Sequence, residues 1–168
     1  YKNIKTGEEK EFTGAEYNAS KIWENKDWEW ANTESKLIFQ GDEAKITDLS
    51  ILSHDDFDVT NEILSEPNTL WIVCYDLSLS NESHLSEINK LAKDAQAKGI
   101  KVYGLSSAGA EQKDKFIAKH KLSFDFLIVD GIVLKTMVRS NPGIMQLQHG
   151  TVVGKWHEND VPSANELK

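Results

Sequence analysis

The chain has a single cysteine, Cys74, in 168 residues. An internal disulfide is thereby excluded, as is a structural zinc site built on two or more thiolates. The compartment stays open, because an exported protein can also do without disulfides. No apolar run approaches the ~20 residues needed to cross a bilayer as a helix, and no secretory signal pattern is present. Positive charge is also short. The 19 Lys and Arg against 27 Asp and Glu give a net charge of −8. Neutralising phosphates requires a basic face, so nucleic acid is not an expected partner, and an anionic membrane surface is disfavoured for the same reason. The chain begins at Tyr1 rather than Met, which fits an excised or processed piece whose anchor or targeting segment lies upstream.

Apolar residues make up 39 % and charged residues 27 % of the chain, as in an ordinary folded domain. The length suits one domain, or one domain with an added subdomain. Residues 1–66 are polar and turn-rich, with Trp23, Trp28 and Trp30 close together. "YKNIKTGEEKEFT" reads as a hairpin turning at Thr6-Gly7, and "WEWANTESKLIFQG" as a second hairpin. The tryptophans are expected to form an aromatic cluster that lets a small β-unit pack on a neighbour. "ITDLSILSHDDFDVTNEIL" then reads as a strand, an acidic turn and a short helix.

From Asn68 the pattern changes. Leu70 to Tyr75 is a continuous apolar run, as in a strand covered on both faces. Leu85, Ile88, Leu91, Ala92 and Ala95 follow at helical spacing; Ser80 or Asn81 could cap the start, and Gly99 supplies a stop. "IKVYGLSS" is a second buried strand, so residues 70–107 form a βαβ unit with a parallel pair and a right-handed crossover. A second amphipathic helix spans about 110–120, with Phe116 and Ile117 on its apolar side, and "FDFLIVD" is the next strand. Asp130-Gly131 between apolar runs reads as a hairpin turn, with "IVLKTMVRS" favoured as strand by propensity and short helix as the other option. "IMQLQ" and "TVVGKWH" flank His149-Gly150 as a closing hairpin.

A βαβ unit, a further helix and then "RSNPGIMQLQHGTVVGKW" resemble a thioredoxin-like domain. That fold carries Cys-x-x-Cys at its first βα junction, and gapless superposition puts Ser78 and Asn81 at those two positions. It also has a cis-proline beside the site, directly before a β-hairpin, where this chain has Asn141-Pro142. Under this resemblance "IVLKTMVR" becomes a short helix. Over nearly the whole chain, "EEKEFT", "DVTNEIL", "CYDLS" and "LKTMVRSNPGIMQLQHGTVVGKWHENDVP" look like the soluble C-terminal domain of DoxX/MauE-type membrane proteins from Bacteroidetes. What this implies is a thioredoxin-like α/β domain over 46–168, preceded by a β-rich extension over 1–45. It further implies a place at the periplasmic face of the inner membrane, with the membrane reached only through an upstream transmembrane region.

The candidate chemistry is sparse. A nucleophilic thiol needs exposure and a lowered pKa, whereas Cys74 sits between Val73 and Tyr75 in the strand and is expected to be an inert core residue. Ser78 and Asn81 cannot exchange with a disulfide, a reaction that proceeds through thiolate attack on sulfur. What remains at that junction is the helix N-terminus, able to hold an anion or carboxylate. The resemblance implies that the backbone before Pro142 pairs with an extended peptide, a mode that needs no thiol. Arg139 could pair with a partner's carboxylate, and His84, about one turn into the helix, has no evident orienting partner. The five histidines show no ligand spacing. The expectation is a non-catalytic domain without cofactor or metal, binding a peptide or protein near Ser78, Asn81, Arg139, Asn141 and Pro142, with the membrane part of its own chain as one such partner. The competing expectation is a thiol-disulfide oxidoreductase, or a redox partner domain, using Cys74 or cysteines of the membrane part.

Overall fold

The apolar run at 70–75 becomes the middle strand of a five-stranded mixed sheet in the computed structural model, which describes residues 1–33 and 49–168. Two units divide the chain, Tyr1–Glu43 and Ala44–Lys168. The expected boundary at 45/46 lies outside the described residues, as do the second half of the "WEWANTESKLIFQG" hairpin and the start of the "ITDLS" strand.

The first unit has β1 (Lys2–Asn3), α1 (Gly14–Ser20) and β2 (Trp28–Glu29), with β1 antiparallel to β2. The expected turn at Thr6-Gly7 forms: Gly7 takes φ +76° and the Asn3 N–H donates to the Glu8 carbonyl at 2.7 Å. It closes only an isolated bridge between Lys2 and Glu9 rather than a ladder. Thr13 and Glu16 make a reciprocal capping box at the start of α1. The three tryptophans do not meet as one cluster. Trp23 follows a left-handed Lys21 on a 3-10 turn and stacks on Tyr17 at 4.6 Å between ring centres, whereas no ring contact of Trp28 or Trp30 occurs among the described residues.

The second unit runs α2 (Thr60–Ser65), β3 (Thr69–Val73), α3 (Leu85–Ala97), β4 (Lys101–Ser106), α4 (Ala110–His120), β5 (Phe126–Ile128), α5 (Gly131–Met137), β6 (Gly143–Gln148) and β7 (Thr151–His157). The strand order is β5-β4-β3-β6-β7, with β3, β4 and β5 parallel and β6 and β7 antiparallel. All five residues of β3 are buried. Leu70 and Ile72 face a cluster with Leu85, Ile88, Leu91 and Ala92 of α3. Trp71 and Val73 face another with Val133, Leu134 and Met137 of α5. Alternation of side chains across the pleat thus feeds two cores, which is why the run shows no polar position.

The hairpin reading at Asp130-Gly131 is overturned. The Asp130 carboxylate accepts from the N–H groups of Ile132 and Val133 at 2.8 and 3.2 Å, so the pair caps α5 instead of turning a hairpin. A side-chain cap and burial of one helical face outweigh the β-branched content of "IVLKTMV". The closing hairpin forms as read, with His149 and Gly150 at φ 46° and 75°, the mirror-image turn that matches strand twist. Gly104 is fixed by close approach: a Cβ there would lie 2.5 Å from the Phe126 ring. Gln146, fully buried, accepts from the Lys168 N–H and donates to its carbonyl, pinning the tail against the sheet.

Candidate functional site

The site to be tested lies at the C-terminal end of β3. The strand stops at Val73, so Cys74 is the first residue beyond it rather than mid-strand as expected. It is still enclosed. Its N–H donates to the Leu105 carbonyl at 2.9 Å, and its side chain is fully buried in the cluster of α3 and Phe116. The Ser80 hydroxyl is 4.0 Å from Sγ. Burial pushes the thiol up to about 12; the Ser80 hydroxyl opposes this, and the charge of Glu158 adds to it. Cys74 is a protonated core residue.

Ser78 and Asn81 do not stand at a helix N-terminus. Ser78 is in a 3-10 turn, Leu77–Leu79, and α3 begins only at Leu85, behind His84. The cause is local competition: Asp76, Ser78, Ser80, Asn81 and Ser83 offer side-chain acceptors to the same backbone N–H groups a helix would use. The Asp76 carboxylate accepts from both the N–H and the hydroxyl of Ser78, at 2.9 and 2.6 Å. Those bonds, the Ser78 hydroxyl foremost, hold Asp76 below the usual carboxylate range, with Lys135 adding to the effect. The Asn81 side chain accepts from the Ser83 N–H at 3.1 Å, and neither Ser80 nor Asn81 caps α3. The N–H groups of Ser78, Asn81 and Ser83 thus already have acceptors, and the N-terminus of α3 lies further on, at Leu85.

Asn141-Pro142 is a cis peptide between α5 and β6, and both residues are buried. The Asn141 carbonyl, part of the backbone expected to pair with a bound peptide, accepts from the Asn81 N–H at 2.7 Å. The Asn141 side chain donates to the Asp76 carbonyl at 2.6 Å. Asn81 donates through Nδ2 to Oε1 of Glu158 at 3.1 Å. The redoxin junction, the proline loop and the end of β7 are thus tied through one residue, Asn81. A further tie runs from Glu82 to Lys119 of α4, 2.7 Å from Nζ to either carboxylate oxygen.

Ser78, Asn81, Asn141 and Pro142 are therefore brought together, while Arg139 is exposed and makes no ion pair among the described residues. Sequence reading missed Asp76 and Glu158. Asp76 was available as an Asp-x-Ser turn signal. Glu158 was visible only through register: its neighbour His157 pairs with Gly143 beside the proline, returning the end of β7 to the site. Glu158 is only 7 % exposed, and its Oε2, like Oδ1 of Asn141, has no hydrogen-bond partner among the described residues. The Lys135 ammonium lies 5.7 Å from the centre of the Tyr75 ring at the rim. Among the described residues no three His, Cys, Asp or Glu side chains converge as a metal site would require, and no helix is long and apolar enough to cross a membrane.

No family model matches the chain, and no curated protein matches it. Solved structures do. A thioredoxin-like protein from Aeropyrum pernix superposes with a TM-score of 0.52 at 16 % identity, over 70 % of this chain and 83 % of its own. The thioredoxin domain of a thiol-disulfide oxidoreductase from Bacteroides vulgatus gives 0.51 at 18 %, over 69 % and 87 %. Yeast Sco1 gives 0.51 at 10 %, over 70 % and 86 %. The fold is thioredoxin-like.

Proposed function

We propose that this chain is a thioredoxin-like domain with no thiol chemistry of its own. It binds a peptide or protein partner across the rim formed by Ser78, Asn81 and Arg139, above Asn141 and Pro142. One observation carries the reading: the junction that would hold a redox pair holds a hydroxyl and an amide, while the only thiol is sealed in the core and kept protonated.

The hydrogen bonds refine the expected mode of binding. The Asn81 N–H already takes one lone pair of the Asn141 carbonyl, so a bound strand would share that oxygen or displace Asn81. Recognition in this reading rests chiefly on side chains at the rim, with the proline loop as a floor. Arg139 offers a planar fork for a carboxylate. The resemblance of "LKTMVRSNPG" and "GTVVGKWH" to DoxX/MauE-type proteins supports a periplasmic setting and makes the membrane part of the same protein the first partner to test. A second reading rests on the exposure of Trp23 and Trp30, 44 % and 59 %, which suits a docking face on the N-terminal unit.

The test has two arms. Thiol labelling of the folded protein, with insulin reduction alongside, is expected to give no reaction above buffer; rapid labelling of Cys74 near neutral pH would return the oxidoreductase reading to first place. Binding of the domain to the separately purified membrane part is expected to weaken in Arg139→Ala. Loss of binding in Trp30→Ala with Arg139→Ala unaffected would move the interface to the N-terminal unit.

A further inference from the structure

The two edges of the sheet are treated differently. β5 has three residues, and its outer side is taken: Leu52 donates to and accepts from Ile128, at 2.8 and 2.9 Å. β7 has seven residues, no proline, and no main-chain partner on its outer side among the described residues. An edge of that length offers several outward N–H and C=O groups to another strand.

The register decides which side chains line that edge. Gln146 pairs with Gly154 and Leu147 with Val152, so Val153 is an extra residue in β7. The bulge resets the alternation and puts Val152, Lys155 and His157 on one face, opposite Leu147, Met145 and Gly143. Val152 is 49 % exposed. Lys155 is exposed and makes no ion pair among the described residues. His157, exposed, accepts the Asn159 N–H on Nδ1, which leaves Nε2–H as its available donor. On a chain of net charge −8, this edge presents two donors toward negative charge, two residues apart on one face.

We propose that β7 is a strand-addition site for an extended acidic segment. Its main chain would pair with the outer side of β7, with alternate carboxylates meeting Lys155 and His157 and an apolar side chain covering Val152. The charge pattern selects this occupant over a second copy of the chain, whose net charge opposes self-association. A bulge and a lysine are also devices that keep an edge unpaired, and the experiment separates the two roles.

The blocked peptide Glu-Thr-Glu-Thr-Val, which puts two carboxylates and an apolar side chain on one face of a strand, would be fluorescently labelled and titrated against the full chain, with Lys-Thr-Lys-Thr-Val as comparison and backbone amides followed by NMR. The acidic peptide is expected to bind at least about tenfold tighter, with the largest shifts at 151–157. Lys155→Glu, a surface change that leaves the fold intact, is expected to reverse the preference. The proposal is overturned if neither peptide binds, if Lys155→Glu leaves the preference unchanged, or if the 151–157 amides become protected with rising protein concentration alone.

Discussion

The two units spend their aromatic residues in opposite ways. The described part of the first unit holds Tyr1, Phe12, Tyr17, Trp23, Trp28 and Trp30, yet its only buried hydrophobic residue is Ile22. The second unit has far fewer aromatics per residue and still buries Trp71 to 1 % exposure, with Phe126 at 0 %. The difference is cover rather than hydrophobicity. β3 lies between α3 on one face and α5 on the other, whereas β1 and β2 are two residues each and have no second layer among the described residues of their own unit. Local devices hold the first unit instead: a capping box, a glycine turn and edge-to-face rings such as Tyr1 with Phe12 at 6.2 Å.

The largest expected effect tests that contrast directly. Trp71→Ala removes a fully enclosed indole and leaves a cavity among Val133, Leu134 and Met145, which should cost about 3–5 kcal/mol. Urea unfolding followed by far-UV circular dichroism measures it. A loss below about 1 kcal/mol would mean that the α5 face is much looser than its burial indicates.

The next effect sharpens the description of Cys74 and has a defined sign. Its folded pKa is pushed up to about 12, above the ordinary thiol value of 9.0. Below 9 the thiol is neutral in both states and contributes no slope. Above 9 the unfolded chain ionises first, so stability falls as pH rises toward 12, at up to about 1.4 kcal/mol per pH unit. The difference between the parent and Cys74→Ala isolates this term from Tyr and Lys titration. Parallel pH profiles for the two proteins would show that the thiol meets solvent in the folded state.

Asn81 comes third. Asn81→Ala keeps the N–H bond to Asn141 but removes the only side-chain donor to Glu158 among the described residues, leaving a buried carboxylate that has lost that bond. A loss of about 1–3 kcal/mol is expected, and Glu158→Gln in the same background should recover part of it. Equal losses with either residue at 158 would show that the bond to Glu158 contributes little. The rim would then be free to rearrange when a partner binds.

Elements with a single strong period were readable from sequence. The α3 residues Leu85, Ile88, Leu91, Ala92 and Ala95 are all buried as spaced, and α4 spans Ala110–His120. The parallel pairing of β3 and β4 follows from the helix between them. α5 was not readable from propensity, because its signal is one carboxylate accepting two N–H bonds ahead of β-branched residues. At the site, Cys74 could be assigned to the core from its apolar neighbours. The bond to the Asn141 carbonyl could not, since it depends on Asn81 reaching a residue sixty positions away in sequence. Nor could the role of Glu158, which the register of β6 and β7 delivers.

The smallest expected effect on stability is the most informative for function. Trp30 is 59 % exposed, and its indole N–H donates to the Thr33 hydroxyl at 2.9 Å, an exposed bond of little net worth. Trp30→Ala should therefore change the unfolding free energy by no more than about 0.5 kcal/mol, in contrast to Trp71→Ala. If it does, Trp30 is not there for folding, and its exposure calls for a partner. A loss comparable to that of Trp71→Ala would instead make Trp30 a packing residue, and the difference between the two units would be one of degree. Denaturant titration of the two variants side by side decides between these outcomes, and the same proteins can then be carried into the binding comparison with Arg139→Ala.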